Sequence, residues 1–379
     1  MLRIKHINED SCFLLTFLPS YAPPTASGTF PGAYTVLLDP WLAGPSVVFH
    51  DSFALTEHTV PACVDNLQEL PTPDLVLISQ EKDDHCNRAT LTQLPADIDT
   101  LILGTGAAVK KIKSWKHFNG DQVQTLARYE ERKKDTMIRI PLAPPTDSGM
   151  PGEVTVTLLA PKADLVGLHN AIAITYRAPS SVLSPHRTAK IISASAPGSR
   201  TSTPTFARVS SRSDMRSPTP SAFSMKSCST LNTALEPTLS LIYSPHGIDY
   251  SLVKPYASSH LLSTSALPLT ALIHCLDVVA NPWYLGGTIC SGAPSGIEIA
   301  RSLCAKVWVG AHDEEKVNTG MSLKMLKLTK HERDLIREKL GGGAQTGDCE
   351  RVDSVVMTSR MATALVELAS GEEYSVKGG

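Results

Sequence analysis

The feature that most constrains the fold is a short run, Asp74 to Ser79 (DLVLIS), followed at once by the polar string Gln80-Glu81-Lys82-Asp83-Asp84-His85-Cys86. The centre of the run is wholly apolar, so a strand formed there has no polar face to give to water. It must be covered on both sides, which is the condition of a central strand in a layered α/β sheet. The string after it is dense in carboxylate, amide and imidazole groups. A rigid strand that ends in a turn projects such groups into one place with little spread. The run therefore predicts both a covered sheet and a site at its end.

The rest of the chain carries the same alternation of apolar runs and turn signals. Ser11 to Phe17, Tyr34 to Leu38, Thr100 to Leu103, Thr136 to Ile140, Val154 to Leu159, Ala171 to Tyr176, Leu239 to Tyr243, Ala271 to His274 and Val307 to Val309 are predicted as strands. Helices are expected at Arg88 to Leu94, Ala107 to Trp115, Ser295 to Cys304 and Ser322 to Leu340, the last broken near Thr329. The apolar piece Met361 to Leu368 is expected to dock as a final helix. Pro179 to Pro237 is rich in Ser, Thr, Pro and Arg and poor in aromatics. Such a composition buries too little apolar surface to offset the entropy of ordering it. The expected organisation is thus residues 1–178 and 238–340 as two halves of one domain, 179–237 as a disordered insertion, and 341–379 as a C-terminal tail.

Composition excludes several classes. A formal net charge of −2 gives no general attraction to nucleic acid or to an anionic membrane. No apolar run approaches the ~18 residues a spanning helix needs. The start turns polar at once through Lys5, His6, Asn8, Glu9 and Asp10, unlike a signal peptide. The eight cysteines are scattered, with no CxxC pair, which points to buried thiols in a reducing, cytoplasmic setting. Neither GxGxxG nor GxxxxGK[ST] occurs, and Gly104-Thr105-Gly106 is too short for a phosphate cradle, so a nucleotide-binding Rossmann enzyme is disfavoured.

The string after the central strand resembles the Ser/Thr-His-x-His-x-Asp-His motif of the metallo-β-lactamase superfamily. Gln80 and Lys82 stand where the first two histidines would be, while Asp84 and His85 are kept. Leu37-Leu38-Asp39-Pro40 resembles the early strand-ending Asp that supports the ligand loop. Val154 to Lys162 (VTVTLLAPK) resembles the strand that usually ends in a ligand histidine, with Lys162 near that place. Tyr243-Ser244-Pro245-His246-Gly247 resembles the turn that offers a bridging Asp, with His246 at its position, and Val309-Gly310-Ala311-His312-Asp313 resembles the last ligand turn. Order and spacing are similar to the branch that includes lactone hydrolases, and to a fungal and plant group with the same Gln-x-x-x-Asp-His and Pro-His-Gly pattern.

This resemblance implies a four-layer αββα sandwich with a degenerate first metal site (Gln80, Lys82, Lys162) and one retained site (Asp84, His85, His246, His312). Asp39 and Asp313 would support it. Three imidazoles and a carboxylate suit one Zn²⁺, with iron or manganese as alternatives. In the empty first site, the Lys82 ammonium is a candidate substitute for the lost metal. The implied activity is hydrolysis of a small ester, lactone, amide or phosphodiester, with Asp84 orienting the attacking water. The alternative is a metal-free pseudoenzyme or binding protein on the same fold. Nearby, Trp283 and Tyr284 either wall a pocket or belong to the core, Lys110, Lys111 and Lys113 are expected on a solvated helix face, and Glu314, Glu315 and Lys316 either orient His312 or face water.

Overall fold

In the computed structural model, which describes residues 1–48, 50–147, 149–162, 167–180, 237–341 and 362–378, alternate residues of each central strand enter different cores. Leu75 and Leu77 face one apolar cluster, whereas Val76 and Ile78 face another. Leu241 and Tyr243 share the first cluster with Leu75, and Ile242 turns away to a third. A period of two with apolar residues on both faces is what a sheet covered on both sides requires.

Two seven-stranded mixed sheets result. The first has the order Glu373–Val376, Leu2–His6, Phe13–Phe17, Tyr34–Leu38, Leu75–Ile78, Leu101–Gly104, Val123–Thr125. The second has the order Ala364–Val366, Val307–Gly310, Ala271–His274, Leu239–Ser244, Ala171–Arg177, Gly152–Leu159, Met137–Leu142. Each is antiparallel over one half and parallel over the other. The shared cluster, with Phe13, Phe17, Val156, Ile174 and Val309, lies between them. Outside the first sheet pack Leu91, Ala108, Val109 and Ile112 of helices Arg88–Leu91 and Gly106–Ser114. Outside the second pack Val253, Ile299 and Ile336, from helices Tyr250–Tyr256, Gly292–Ser302 and Arg333–Gly341. The layers run helix, sheet, sheet, helix, as the resemblance implied.

Two expectations are corrected. Ala364–Val366 is a strand added to the second sheet, not part of a last helix. A short apolar run has no period that separates strand from helix, and the open edge beside Val307–Gly310 decides it. Within 322–340 only Arg333–Gly341 is α-helical; Lys327–Thr329 pairs as a strand with Val278–Ala280. The strands Leu2–His6 and Glu373–Val376 are additions, and their pairing ties the described C-terminus to the first strand. Residues 181–236, the body of the expected insertion, and 342–361 lie outside the described residues. Among the described residues, no helix is long and apolar enough to cross a membrane.

Candidate metal centre

Because the sheets are half parallel, several strands end on the same edge, where α/β proteins place their ligands. Asp39 follows Tyr34–Leu38, and Ser79 through His85 follow Leu75–Ile78. His246 follows Leu239–Ser244, and His312 follows Val307–Gly310. Asp10 enters from the turn between the first two strands. Asp39 (φ 38°) and His312 (φ 60°) take left-handed backbone without being glycine, a strained state that packing must enforce.

One ligand atom from each of Asp84, His85, His246 and His312 lies within 4.8 Å of all the others. His85 and His246 are buried, and the side chains of His312 and Asp84 are 8% and 19% exposed. The four residues expected to form the retained site are therefore brought together.

Each imidazole has its outer nitrogen committed. His85 Nδ1 donates to Asp39 Oδ2 at 2.8 Å. His246 Nδ1 donates to the Ile289 carbonyl at 3.1 Å, and a carbonyl can only accept. His312 Nδ1 meets Asp10 Oδ1 at 2.9 Å. The first two bonds place the proton on Nδ1, so in the neutral rings Nε2 of His85 and Nε2 of His246 each carry a lone pair. His85 Nε2 and His246 Nε2 stand 2.9 Å apart, a contact that two lone pairs cannot make without a proton or a cation. Imidazoles oriented by carboxylate and carbonyl acceptors are the arrangement in which histidine binds metals. The donor chemistry therefore fits a metal ion, although tetrahedral bonds of ~2.0–2.1 Å would open that contact to roughly 3.3 Å.

The buried charges are matched. Burial pushes the Asp10 carboxyl up, but His312 and Lys316 outweigh it and hold it well below the usual carboxylate range. Lys316, its Nζ 2.7 Å from Asp10 Oδ1 and 3.2 Å from His312 Nδ1, is likewise held protonated against burial by Asp10 and Asp84. Its ammonium lies 5.6 Å from the Trp41 ring centroid. Burial and the nearby His312, His85 and Lys316 depress His246, whereas Asp84 and Asp39 overcome burial to raise His85. For Asp84, burial raises the carboxyl and His85, Lys316 and His312 lower it further. Asp39 is wholly buried and accepts from Ser79 N at 2.7 Å, Ser79 Oγ at 2.5 Å and Tyr243 OH at 2.7 Å as well as from His85. It ties the His85 ring to the turn that begins at Ser79.

The residues of the degenerate first site do not join this cluster as a set. Gln80 is 1% exposed, and neither of its amide atoms has a hydrogen-bond partner. Lys82 pairs instead with Glu81 at 2.8 Å, and Lys162 is exposed. The ammonium that meets the cluster is Lys316. Asp313 accepts from Leu276 N at 2.9 Å and Asp277 N at 3.0 Å, which braces the turn after His312. Glu314 ties down His58 and the Thr59 and Val60 amides, and the half-buried Lys111 pairs with Asp83 at 2.5 Å and with the Glu81 carbonyl at 2.6 Å, beside the exposed Lys110 and Lys113.

Sequence reasoning missed Asp10, which sits in a polar stretch with no motif of its own. It also missed Asn170, whose Nδ2 donates to the Ser79 carbonyl at 3.1 Å and whose own carbonyl accepts from Ser244 Oγ at 2.8 Å. That residue joins strand ends of the two sheets across the site.

No family model matches the chain, and no curated protein is similar in sequence. Among solved structures it is similar to the isothiocyanate hydrolase from Delia radicum gut bacteria, at 14% identity and TM-score 0.48 over 100% of both chains. It is also similar to the metallo-β-lactamase fold protein YhfI from Bacillus subtilis, at 11% identity and TM-score 0.42 over 98% of both. The metallo hydrolase Igni18 from Ignicoccus hospitalis gives 8% identity and TM-score 0.41 over 99% of both. All three scores lie below 0.5, so the fold rests on the chain's own layers and strand order.

Proposed function

We propose that the chain is a metal-dependent hydrolase of a small-molecule ester, lactone, amide or phosphodiester, acting at one ion held by Asp84, His85, His246 and His312. The observation that carries this reading is the approach of ligand atoms of Asp84, His85, His246 and His312 to within 4.8 Å of one another, with His85 and His246 each held by an acceptor on Nδ1. Zinc is the ion best matched to three nitrogens and one carboxylate. When bound, such an ion lowers the pKa of a coordinated water and polarises the scissile oxygen. Asp84, the most exposed of the four, would orient the attacking water or take its proton where it does not itself complete the ligand set. Asp39 and Asp10 hold the His85 and His312 rings in register, and Lys316 keeps a fixed positive charge beside them. The buried free thiols Cys12, Cys86, Cys275 and Cys290 support cytoplasmic residence.

One observation favours a second reading, a metal-free binding protein. The 2.9 Å Nε2–Nε2 distance is that of an N–H···N hydrogen bond, and the raised His85 supplies the proton. Metal analysis after gentle purification decides between them. About one equivalent supports the hydrolase, and under ~0.1 equivalent sinks it, since intact structural zinc sites hold their ion tightly. A panel of chromogenic esters and phosphodiesters with added Zn²⁺, Mn²⁺ or Fe²⁺ then tests activity directly.

A further inference from the structure

The helix side of the second sheet is apolar where Ala173, Ile242, Leu272 and Trp308 meet their neighbours, and polar in one place. Along Gly152–Leu159, Val154 and Val156 face the core between the sheets, and the alternate residues Thr155 and Thr157 face the helices, as does Leu159. Both threonines are buried, and so is Thr175, paired with Thr155 on the next strand. The Thr155 and Thr175 hydroxyls meet each other at 2.6 Å and meet His260 Nε2 at 3.2 and 3.4 Å. Thr157 Oγ1 and the nearby Tyr256 hydroxyl are buried without a hydrogen-bond partner. Buried hydroxyls of this kind destabilise a core, so packing alone gives no reason for a polar floor here.

That floor lies under a cavity of about 540 Å³, within the ~300–1,000 Å³ range of small-molecule sites. His260 and Ser259 line it from the π-helical turn Ala257–Leu261, a widened turn that recurs at functional sites. Burial pushes the His260 imidazole down to about 4, so it is neutral near pH 7. Tyr129, whose hydroxyl meets Ser259 Oγ at 2.5 Å, and Met137 give the cavity an apolar wall. The exposed Arg132, Lys133 and Arg139 also line it, against one carboxylate, Glu131. Lys133 pairs with Glu130 at 2.7 Å and Arg139 with Glu153 at 2.8 Å, whereas Arg132 has no carboxylate partner among the described residues. The cavity stands apart from the candidate metal centre. Thr175 pairs with Ser240, four residues or roughly 13 Å before the strand end that leads to His246.

We infer that this cavity is a second ligand site, built for a small aromatic anion. Arg132 and Arg139 take the anionic group, and the ring lies against Tyr129 and Met137 above the neutral His260 floor. Three cations against one carboxylate give the sign of the charge, and the tyrosine and methionine wall gives the aromatic part. A guanidinium without a carboxylate partner can give its whole fork of donors to a ligand. The site does not depend on the metal ion or on the hydrolase reading.

The test is calorimetric titration of the full chain with phenylphosphonate and methylphosphonate. Phenylphosphonate should bind about fivefold more tightly, as partial burial of a ring provides. Arg132→Ala, at an exposed position that leaves the fold intact, should weaken it about tenfold or more, and Arg132→Lys should recover part of the loss. Arg139→Ala should weaken it further. Urea unfolding of each variant, unchanged from the parent, confirms that the loss is one of binding. His246→Ala separates this cavity from the metal centre, because phenylphosphonate held by Arg132 should bind that variant as it binds the parent. Binding that His246→Ala removes and Arg132→Ala leaves intact would assign the anion to the centre and overturn the second site. Equal affinity for the two phosphonates, or no binding of either at ~1 mM, overturns it as well.

Discussion

The four retained positions and the three degenerate ones sit at the ends of neighbouring strands, yet they differ in how the protein holds them. Each retained imidazole has a fixed polar group behind it: the Asp39 carboxylate for His85, the Ile289 carbonyl for His246, and the buried Asp10–Lys316 ion pair for His312. At the other positions this support is gone. Lys82 has turned to Glu81, Lys162 is exposed, and Gln80 is buried with its amide unpaired. What distinguishes a kept ligand is the buried polar group that holds its ring, more than the imidazole itself.

The sharpest way to break this contrast is to remove a retained ligand. His246→Ala and His312→Ala should each reduce bound metal from about one equivalent to under ~0.1 and drop ester hydrolysis to background, read by elemental analysis and chromogenic assay. A variant that keeps both metal and activity would show that the cluster is not the site.

The next largest effect should come from behind a ligand. Asp10→Asn leaves the Lys316 ammonium buried without its carboxylate, at a cost of about 3–5 kcal/mol in urea unfolding. The pair also sets a pH dependence. The Asp10 carboxyl is depressed in the folded state, so its stabilisation is complete above about pH 4 and is lost as pH falls further. That part of the acid limb should vanish in the variant. Asp39→Asn keeps the shape of the side chain but weakens its hold on His85, and metal affinity should fall about 10–100-fold in a chelator competition. Unchanged affinity would mean that the far-side acceptor does not matter, and the contrast would fail.

A restoration probes the other side. Gln80→His alone should leave metal content at about one equivalent, because an added imidazole without a neighbouring ligand or a fixing acceptor makes no site. A second equivalent would show the first site to be closer to intact than its side chains suggest.

Much of this contrast was legible in the chain. The central strand announced its two covered faces because Leu75 through Ile78 are all apolar, and Asp84, His85, His246 and His312 each follow such a strand. Other parts left no local trace. Glu373–Val376 has only Tyr374 and Val376 to mark it, and it is a strand because Leu2–His6 offers an open edge. Asp10 reads as an ordinary polar residue and Lys316 as one that either orients His312 or faces water; pairing across 306 positions of sequence buries them. Trp283 and Tyr284 were readable as core or pocket, and only their exposure excludes the core. Short-range pattern specifies strands, whereas the support behind a ligand is a tertiary fact.

The smallest expected effect, and the most informative about the lost site, is at Gln80. A buried amide with no partner forfeits its hydration and gains nothing in return, a cost of about 1–3 kcal/mol. Gln80→Leu keeps similar volume and removes both orphaned atoms, so stability should rise by about 1 kcal/mol, seen as a higher urea midpoint at unchanged slope. Retained metal content would confirm that the first site is inert. A destabilised protein, or one with weaker substrate binding, would give the amide a partner: an ordered water or a polar group of the substrate where the first ion once lay. The degenerate side of the centre would then be a rebuilt half of the site, and the contrast with the retained side one of chemistry and not of loss.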